Sequence, residues 1–205
     1  MIKFKGKVKR KYLIAIIFIV FFLWTQGLGV INFPGKGMSA KSAIGSRFKY
    51  ETNSWKLKEI ISDINIDKKR KLVLYENYQN GIMFSYLKKN WLGIWVEIHT
   101  TGETHKTNNY ANASFSYHPL KDMYIYEGII YNKDICKVKL SGSEAKIVND
   151  GQFRFWYIAA SKDIDKNSID LELFDSKGNK IDFMKKAPSI NEVKINHDGI
   201  YLSTS

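Results

Sequence analysis

The chain contains a single cysteine, Cys136, in 205 residues. An internal disulfide is therefore excluded, and so is a zinc site built from several thiolates. Its position also excludes a lipoprotein, which needs a cysteine at the end of an apolar leader. Three prolines and 14 glycines are too few for a collagen-like or linker-like chain. Acidic side chains are missing from the first 50 residues, the first being Glu51. A type IV pilin-like subunit, which carries a glutamate near the start of its apolar run, is excluded with them. Also lacking are a His-Glu-x-x-His pair, and a nucleophile elbow or Ser-x-x-Lys motif in a supporting context. Gly27-Leu28-Gly29 follows no strand and is not a phosphate loop.

What is present is a folded composition, 44% hydrophobic and 25% charged, with a net charge of +12. That charge is unevenly placed. Lys3, Lys5, Lys7, Lys9, Arg10 and Lys11 supply half of it in the first 11 residues. Residues 34–107 carry 13 basic and 7 acidic side chains, and residues 108–205 carry 13 of each.

The basic leader (1–11) runs into Tyr12-Leu-Ile-Ala-Ile-Ile-Phe-Ile-Val-Phe-Phe-Leu-Trp24, and no charge follows until Lys36. Lys and Arg resist translocation, so this order predicts export with the N-terminus in the cytoplasm. Residues 12–33 would form a helix of about 33 Å, enough for a bilayer core of about 30 Å. The composition favours an uncleaved single-pass anchor in the cell membrane with an extracytoplasmic C-terminal part. The alternative is a signal sequence cleaved near Gly29 and a secreted protein of the same fold.

Residues 34–46 are rich in Gly and Ser without periodicity and predict a flexible tether. Ser54 can cap a short helix in which Leu57, Ile60, Ile61 and Ile64 recur at helical spacing. Strands are expected at Leu72–Tyr78, Ile82–Leu87 and Trp91–Thr100, the first two joined by Gln79-Asn80-Gly81 as a hairpin. Residues 47–107 thus read as a helix plus an antiparallel meander. Further strand-like runs at about 113–117, 123–131, 134–140, 144–149, 152–160, 168–174 and 180–184 predict a small antiparallel sandwich over 108–186. Residues 187–205 read as a polar tail with at most a short edge strand at Val193-Lys-Ile195. The expected class is mainly β (α+β): an N-terminal transmembrane helix, a helix-plus-three-strand antiparallel unit, then a β-sandwich-like unit.

Few residues invite chemistry. Glu97 and His99 fall on one side of a regular strand, with Glu103 and His105 in the next loop and His118 beyond. Glu97, His99 and His105 are the candidate metal ligands. Asp163, Asp165, Asn167 and Asp170 begin like a calcium loop, but Ser168 holds the required glycine position and Phe174 the bidentate glutamate position. Cys136 alternates with Val138 and Leu140 and reads as a small core residue. Trp91, Trp95 and Trp156 are candidate ligand-binding aromatics, able to stack on sugar rings or to fill thin cores. The Lys68-Lys-Arg-Lys71 cluster reads as a solvated loop, and no nucleic-acid partner is expected.

The runs Leu74-Tyr-Glu-Asn-Tyr78, Gly81-Ile-Met-Phe-Ser-Tyr-Leu-Lys-Lys89, Tyr126-Glu-Gly-Ile-Ile-Tyr131, Ile135-Cys-Lys-Val138, Ala145-Lys-Ile-Val148 and Phe155-Trp-Tyr157 carry a resemblance. They are similar to small exported or membrane-anchored proteins of spore-forming Gram-positive bacteria. The resemblance implies location and architecture and brings no activity. The expected function is a non-enzymatic, membrane-anchored extracytoplasmic module that uses no cofactor. It would bind a protein or an anionic envelope component, with strongly salt-dependent retention if the basic 34–107 region does the binding. A metal-dependent envelope hydrolase using Glu97, His99 and His105 is the alternative.

Overall fold

The structure, a computed structural model, describes residues 7–27, 34–101, 104, 110–151, 153–164, 170–185, 190–196 and 199–204. The chain is mainly β and divides into two compact units, Met1–Glu103 and Thr104–Ser205.

The first unit opens with helix α1, Lys7–Gly27. Its large apolar side chains from Tyr12 to Phe22 are exposed. The described side chains of this helix, Tyr12 to Leu23, cover about 18 Å. Among the described residues, no helix is long and apolar enough to cross a membrane.

The expected tether is folded. Strand β1 (Lys36–Gly37) is followed by helix α2 (Ala40–Arg47), which Ser39 caps in a reciprocal box with Ser42. The two serines supply the hydrogen bonds that start a helix, so the Ser-rich composition encodes a cap here rather than slack. Ala40, Ala43 and Ile44 of this helix are buried.

The expected helix near residues 54–64 is strand β2, Leu57–Asn65. It pairs antiparallel with β3 (Arg70–Asn77), with register shifts between Leu57 and Glu59 and between Ile60 and Ser62. Each shift inserts one extra residue, Lys58 and then Ile61. The two bulges stretch the period-two pattern until it mimics helical spacing. Strands β4 (Ile82–Lys89) and β5 (Trp95–Thr100) complete an antiparallel sheet in the order β1-β5-β4-β3-β2. Helix α2 covers one face, packing on Val73, Tyr75, Met83, Leu87 and Trp95. The helix that covers the sheet therefore precedes the strands and lies outside the segment whose spacing suggested it.

The β3–β4 hairpin forms where expected, by a different device. Only Asn80 has a positive φ, 63°. The turn is organised by the Asn77 side chain, whose Oδ1 accepts from the amides of Gln79 at 2.9 Å and Gly81 at 2.7 Å.

The second unit contains β6 (Ser116–Leu120), β7 (Met123–Ile129), β8 (Lys137–Leu140), β9 (Ser143–Glu144), β10 (Lys146–Asp150), β11 (Phe153–Ala160), β12 (Leu171–Phe174) and β13 (Lys180–Ile181). They form two four-stranded antiparallel sheets, β10-β11-β7-β6 and β13-β12-β8-β9. Tyr126 and Trp156 from one sheet share a core with Val138, Leu140, Leu171 and Leu173 from the other, which is the sandwich expected. Gly128 is forced: a Cβ there would stand 1.8 Å from the Ser114 carbonyl oxygen, which accepts from Trp156 Nε1 at 3.2 Å. The polar tail is in part a hairpin, β14 (Ile190–Asn196) with β15 (Gly199–Thr204).

Cys136 is exposed, contrary to the core placement expected of it. Strand β8 begins only at Lys137, and Ile135 takes the buried position just before it. The alternation that pairs Cys136 with Val138 does not extend across the strand end.

Candidate functional site

The first unit has a cleft of about 340 Å³ lined by Arg47, Phe48, Glu51, Trp55 and the strand residues Glu97 to Thr100, His99 among them. Its construction starts at two glycines. Gly35 has a φ of 71°, and its carbonyl accepts from the Glu97 amide at 2.7 Å. At Gly37 a Cβ would fall 2.1 Å from Ser42 Oγ and 2.6 Å from the Ala43 nitrogen. Only the missing side chain lets β1 lie this close to α2. The close approach sets Arg47, the last residue of α2, over β5.

Strand β5 supplies the floor. Its pairing with β4 shifts between Tyr86 and Leu87, so Glu97 stands opposite Leu87, His99 opposite Tyr86, and Ile98 is the extra residue. Residues directly opposite each other share a face of the sheet. Leu87 faces α2, so Glu97 does too, and His99 goes to the other face with Tyr86. The bulge thereby alters the alternation between the two and joins Glu97 to Thr100, although His99 still lines the same cleft. Thr100 Oγ1 donates to Glu97 Oε1 at 2.9 Å, and it also meets Ser85 Oγ.

The Glu97 side chain is only 5% exposed, against 55% for Arg47, whose Nε lies 3.7 Å from Glu97 Oε2. Burial raises the Glu97 pKa above the usual carboxylate range, and the Thr100 hydrogen bond and the Arg47 charge pull it back only in part. Below the carboxylate, Tyr75 donates from its hydroxyl to the Trp55 carbonyl at 3.3 Å. Its pKa is raised, by burial first and by the Glu97 charge second. The wall is aromatic: Phe48 and Trp55 stack with centroids 5.6 Å apart. Asn77 Nδ2, donating to the Ser54 carbonyl at 2.7 Å, fastens this segment to the sheet. A part-exposed guanidinium, a sunken carboxyl and a stacked indole can together hold a polar ring or a peptide group by hydrogen bonds and stacking.

The sequence candidates are scattered over the fold. Trp95 is 7% exposed and belongs to the core under α2, and Trp156 is fully buried in the sandwich. Trp91 is 91% exposed, on the turn before β5. His105 and Glu103 lie outside the described residues. Among the described residues no group of three or more His, Cys, Asp or Glu side chains is placed to hold a metal. Of the calcium-loop residues, Asp165 and Asn167 also lie outside the described residues. Asp163 accepts from Tyr117 at 3.0 Å and from Tyr126 at 2.5 Å. Burial and this carboxylate push the Tyr117 pKa up to about 12 and raise that of Tyr126. Asp163 is thus a clasp between a loop and strands β6 and β7.

Arg47, Phe48 and Trp55 were not among the sequence candidates, because they lie in or before the short helix expected from Ser54, where the spacing marks only Leu57, Ile60, Ile61 and Ile64. Glu127 was missed as well. It is fully buried, with His118 Nε2 at 3.4 Å from Oε1, and its burial raises its pKa against the pull of that histidine. Comparison of the chain with protein-family models, with curated proteins and with solved structures gives no match.

Proposed function

We propose that this chain is a non-enzymatic, membrane-anchored extracytoplasmic module that binds a protein or an anionic envelope component through its first β unit. The observation that carries the reading is α1, whose apolar side chains from Tyr12 to Phe22 are turned outward behind a basic leader. An apolar stripe belongs on one face of a helix that packs on a protein core, and apolar side chains exposed in succession suit lipid. In this reading the anchor covers residues 12–33, of which 28–33 are read from sequence alone.

The cleft of Arg47, Trp55 and Glu97 is the proposed binding place. Arg47 offers a planar donor fork to a carboxylate or phosphate, and Trp55 offers a face for stacking. The test is retention of the detergent-solubilised full chain on purified cell-wall polymer, compared with Arg47→Gln and Trp55→Ala. Retention that both variants weaken supports the reading. Absence of retention, or retention untouched by either variant, sinks the cleft as the binding place.

A further inference from the structure

One end of the first sheet collects basic and apolar side chains that the cleft does not use. The β2–β3 turn brings Lys68 and Lys69 there, both exposed. Across the sheet, Lys36 on β1 pairs with Val96, Val96 with Lys88, and Lys88 with Arg70. This row spans four adjacent strands, so Lys36 and Lys88 are separated by roughly 10 Å. On the other face, the ammonium groups of Lys71 and Lys89 lie 5.1 and 4.9 Å from the centre of the Trp95 ring. Asp67 pairs with Arg70 and Asp63 with Lys71. Those two carboxylates stand against seven basic side chains: Lys36, Lys68, Lys69, Arg70, Lys71, Lys88 and Lys89.

The same end carries an exposed apolar tip. Asn90 Oδ1 accepts from the amides of Leu92 and Ile94, each at 3.0 Å, and Gly93 closes the turn with a φ of 80°. This rigid turn holds Trp91 outward at 91% exposure, with Leu92 beside it at 40%. A tryptophan and a leucine among lysines form the side-chain set of a membrane–water interface. Chain length puts this end close to such an interface. The proposed anchor ends at Phe33, and Lys36 is already in the sheet, so at most about 10 Å of extended chain separates them. The folding of residues 36–47 onto the unit leaves no slack to carry it away.

We infer that the end of the sheet formed by Lys36, Lys68, Lys69, Lys88 and the Trp91–Leu92 turn docks on the outer leaflet of the membrane, binding anionic lipid headgroups. The docking fixes the unit flat against the lipid by its basic end, with Trp91 and Leu92 inserted at headgroup depth. It rests on the anchor reading above.

The test uses the full chain in nanodiscs of phosphatidylcholine alone or mixed with phosphatidylglycerol. On a Cys136→Ser background, a fluorophore is attached at Leu92→Cys, and in a second preparation at Gln79→Cys on the opposite hairpin. Lipids carrying a quencher near the headgroup report proximity. Docking predicts at least twofold stronger quenching at position 92 than at 79 in the anionic discs. The part of that excess which phosphatidylglycerol adds should be lost at roughly 1 M salt, where the Debye length is about 3 Å. It should also be lost in the Lys68→Gln, Lys69→Gln, Lys88→Gln triple variant, whose exposed or half-exposed positions leave the core untouched. Equal quenching at 92 and 79, or an excess indifferent to phosphatidylglycerol and salt, overturns the docking and leaves the anchor standing. A chain that alkaline carbonate strips from the discs overturns both.

Discussion

Two glycines eight residues apart make opposite predictions from one geometry. At Gly37 an added Cβ would meet Ser42 Oγ at 2.1 Å, and also the Ala43 nitrogen at 2.6 Å and the Ser42 carbonyl carbon at 2.7 Å. The last two are backbone, so no rotamer change relieves them. Helix α2 must shift away from β1, which strains the packing of Ala43 and Ile44 and disturbs the Ser39–Ser42 box. Overpacking costs about 1 to 3 kcal/mol and a lost cap about 1, so Gly37→Ala is expected to destabilise the unit by about 2 to 4 kcal/mol. Gly45 lies in the same helix with nothing within 4 Å of its added Cβ. Gly45→Ala is expected to stabilise by about 0.5 to 1 kcal/mol through helix propensity alone. The assay is urea unfolding of the detergent-solubilised chain, followed by tryptophan fluorescence. With a slope of about 2 kcal/mol/M, the first midpoint falls by about 1 to 2 M and the second rises by up to about 0.5 M. A Gly37→Ala midpoint equal to or above that of the parent would refute the close approach of α2, and the cleft built on it.

Glu97 and Glu127 hold their protons to higher pH in the folded chain than in the unfolded one, because burial disfavours their charge. Their contribution to stability is therefore full below the unfolded carboxylate pKa of about 4.3 and declines as pH rises through the raised values. Glu97→Gln and Glu127→Gln should each flatten that decline in thermal melts, and melting curves parallel to the parent's at every pH would contradict the burial argument. Trp156→Ala removes the largest fully buried side chain and should cost about 3 to 5 kcal/mol, whereas Trp91→Ala should stay within about 0.5 kcal/mol, both read from denaturant midpoints. Tyr126→Phe removes a hydrogen bond to the Asp163 carboxylate and one from the Ile164 amide. It should speed amide exchange at residues 161–164 by roughly tenfold, the equivalent of about 1.4 kcal/mol, and unchanged exchange would show that the clasp does not hold the loop.

The parts of the fold legible in sequence are those where one local pattern decides. Alternation with turn residues at short intervals gives the sandwich strands, and the Asn80 turn gives the hairpin. Irregularity hid the rest. Two bulges disguised β2 as a helix, and the bulge at Ile98 put Glu97 in hydrogen-bond reach of Thr100, which regular alternation does not foresee. Strands such as Leu72–Tyr75 and Ile82–Leu87 are buried at every position and carry apolar residues on both faces, so their sequence cannot say which side chains meet. Helix α2 was invisible for another reason: eight residues with one lysine, one arginine and three buried side chains show no clear stripe. Its stability comes from the Ser39 cap and from the packing that Gly37 permits. The cleft depends on α2 and the Ile98 bulge together, and so Arg47 and Trp55 could not be singled out from sequence.

The most direct test of the anchored, outward-facing arrangement uses Cys136, the single cysteine, which is exposed on the second unit. Intact cells expressing the full chain are treated with a membrane-impermeant thiol reagent, and carbonate-washed membranes are then isolated. The arrangement predicts a full-length chain in the membranes, labelled at Cys136 before lysis. Labelling only after lysis, or a chain found only in the medium and beginning after Gly29, would contradict it.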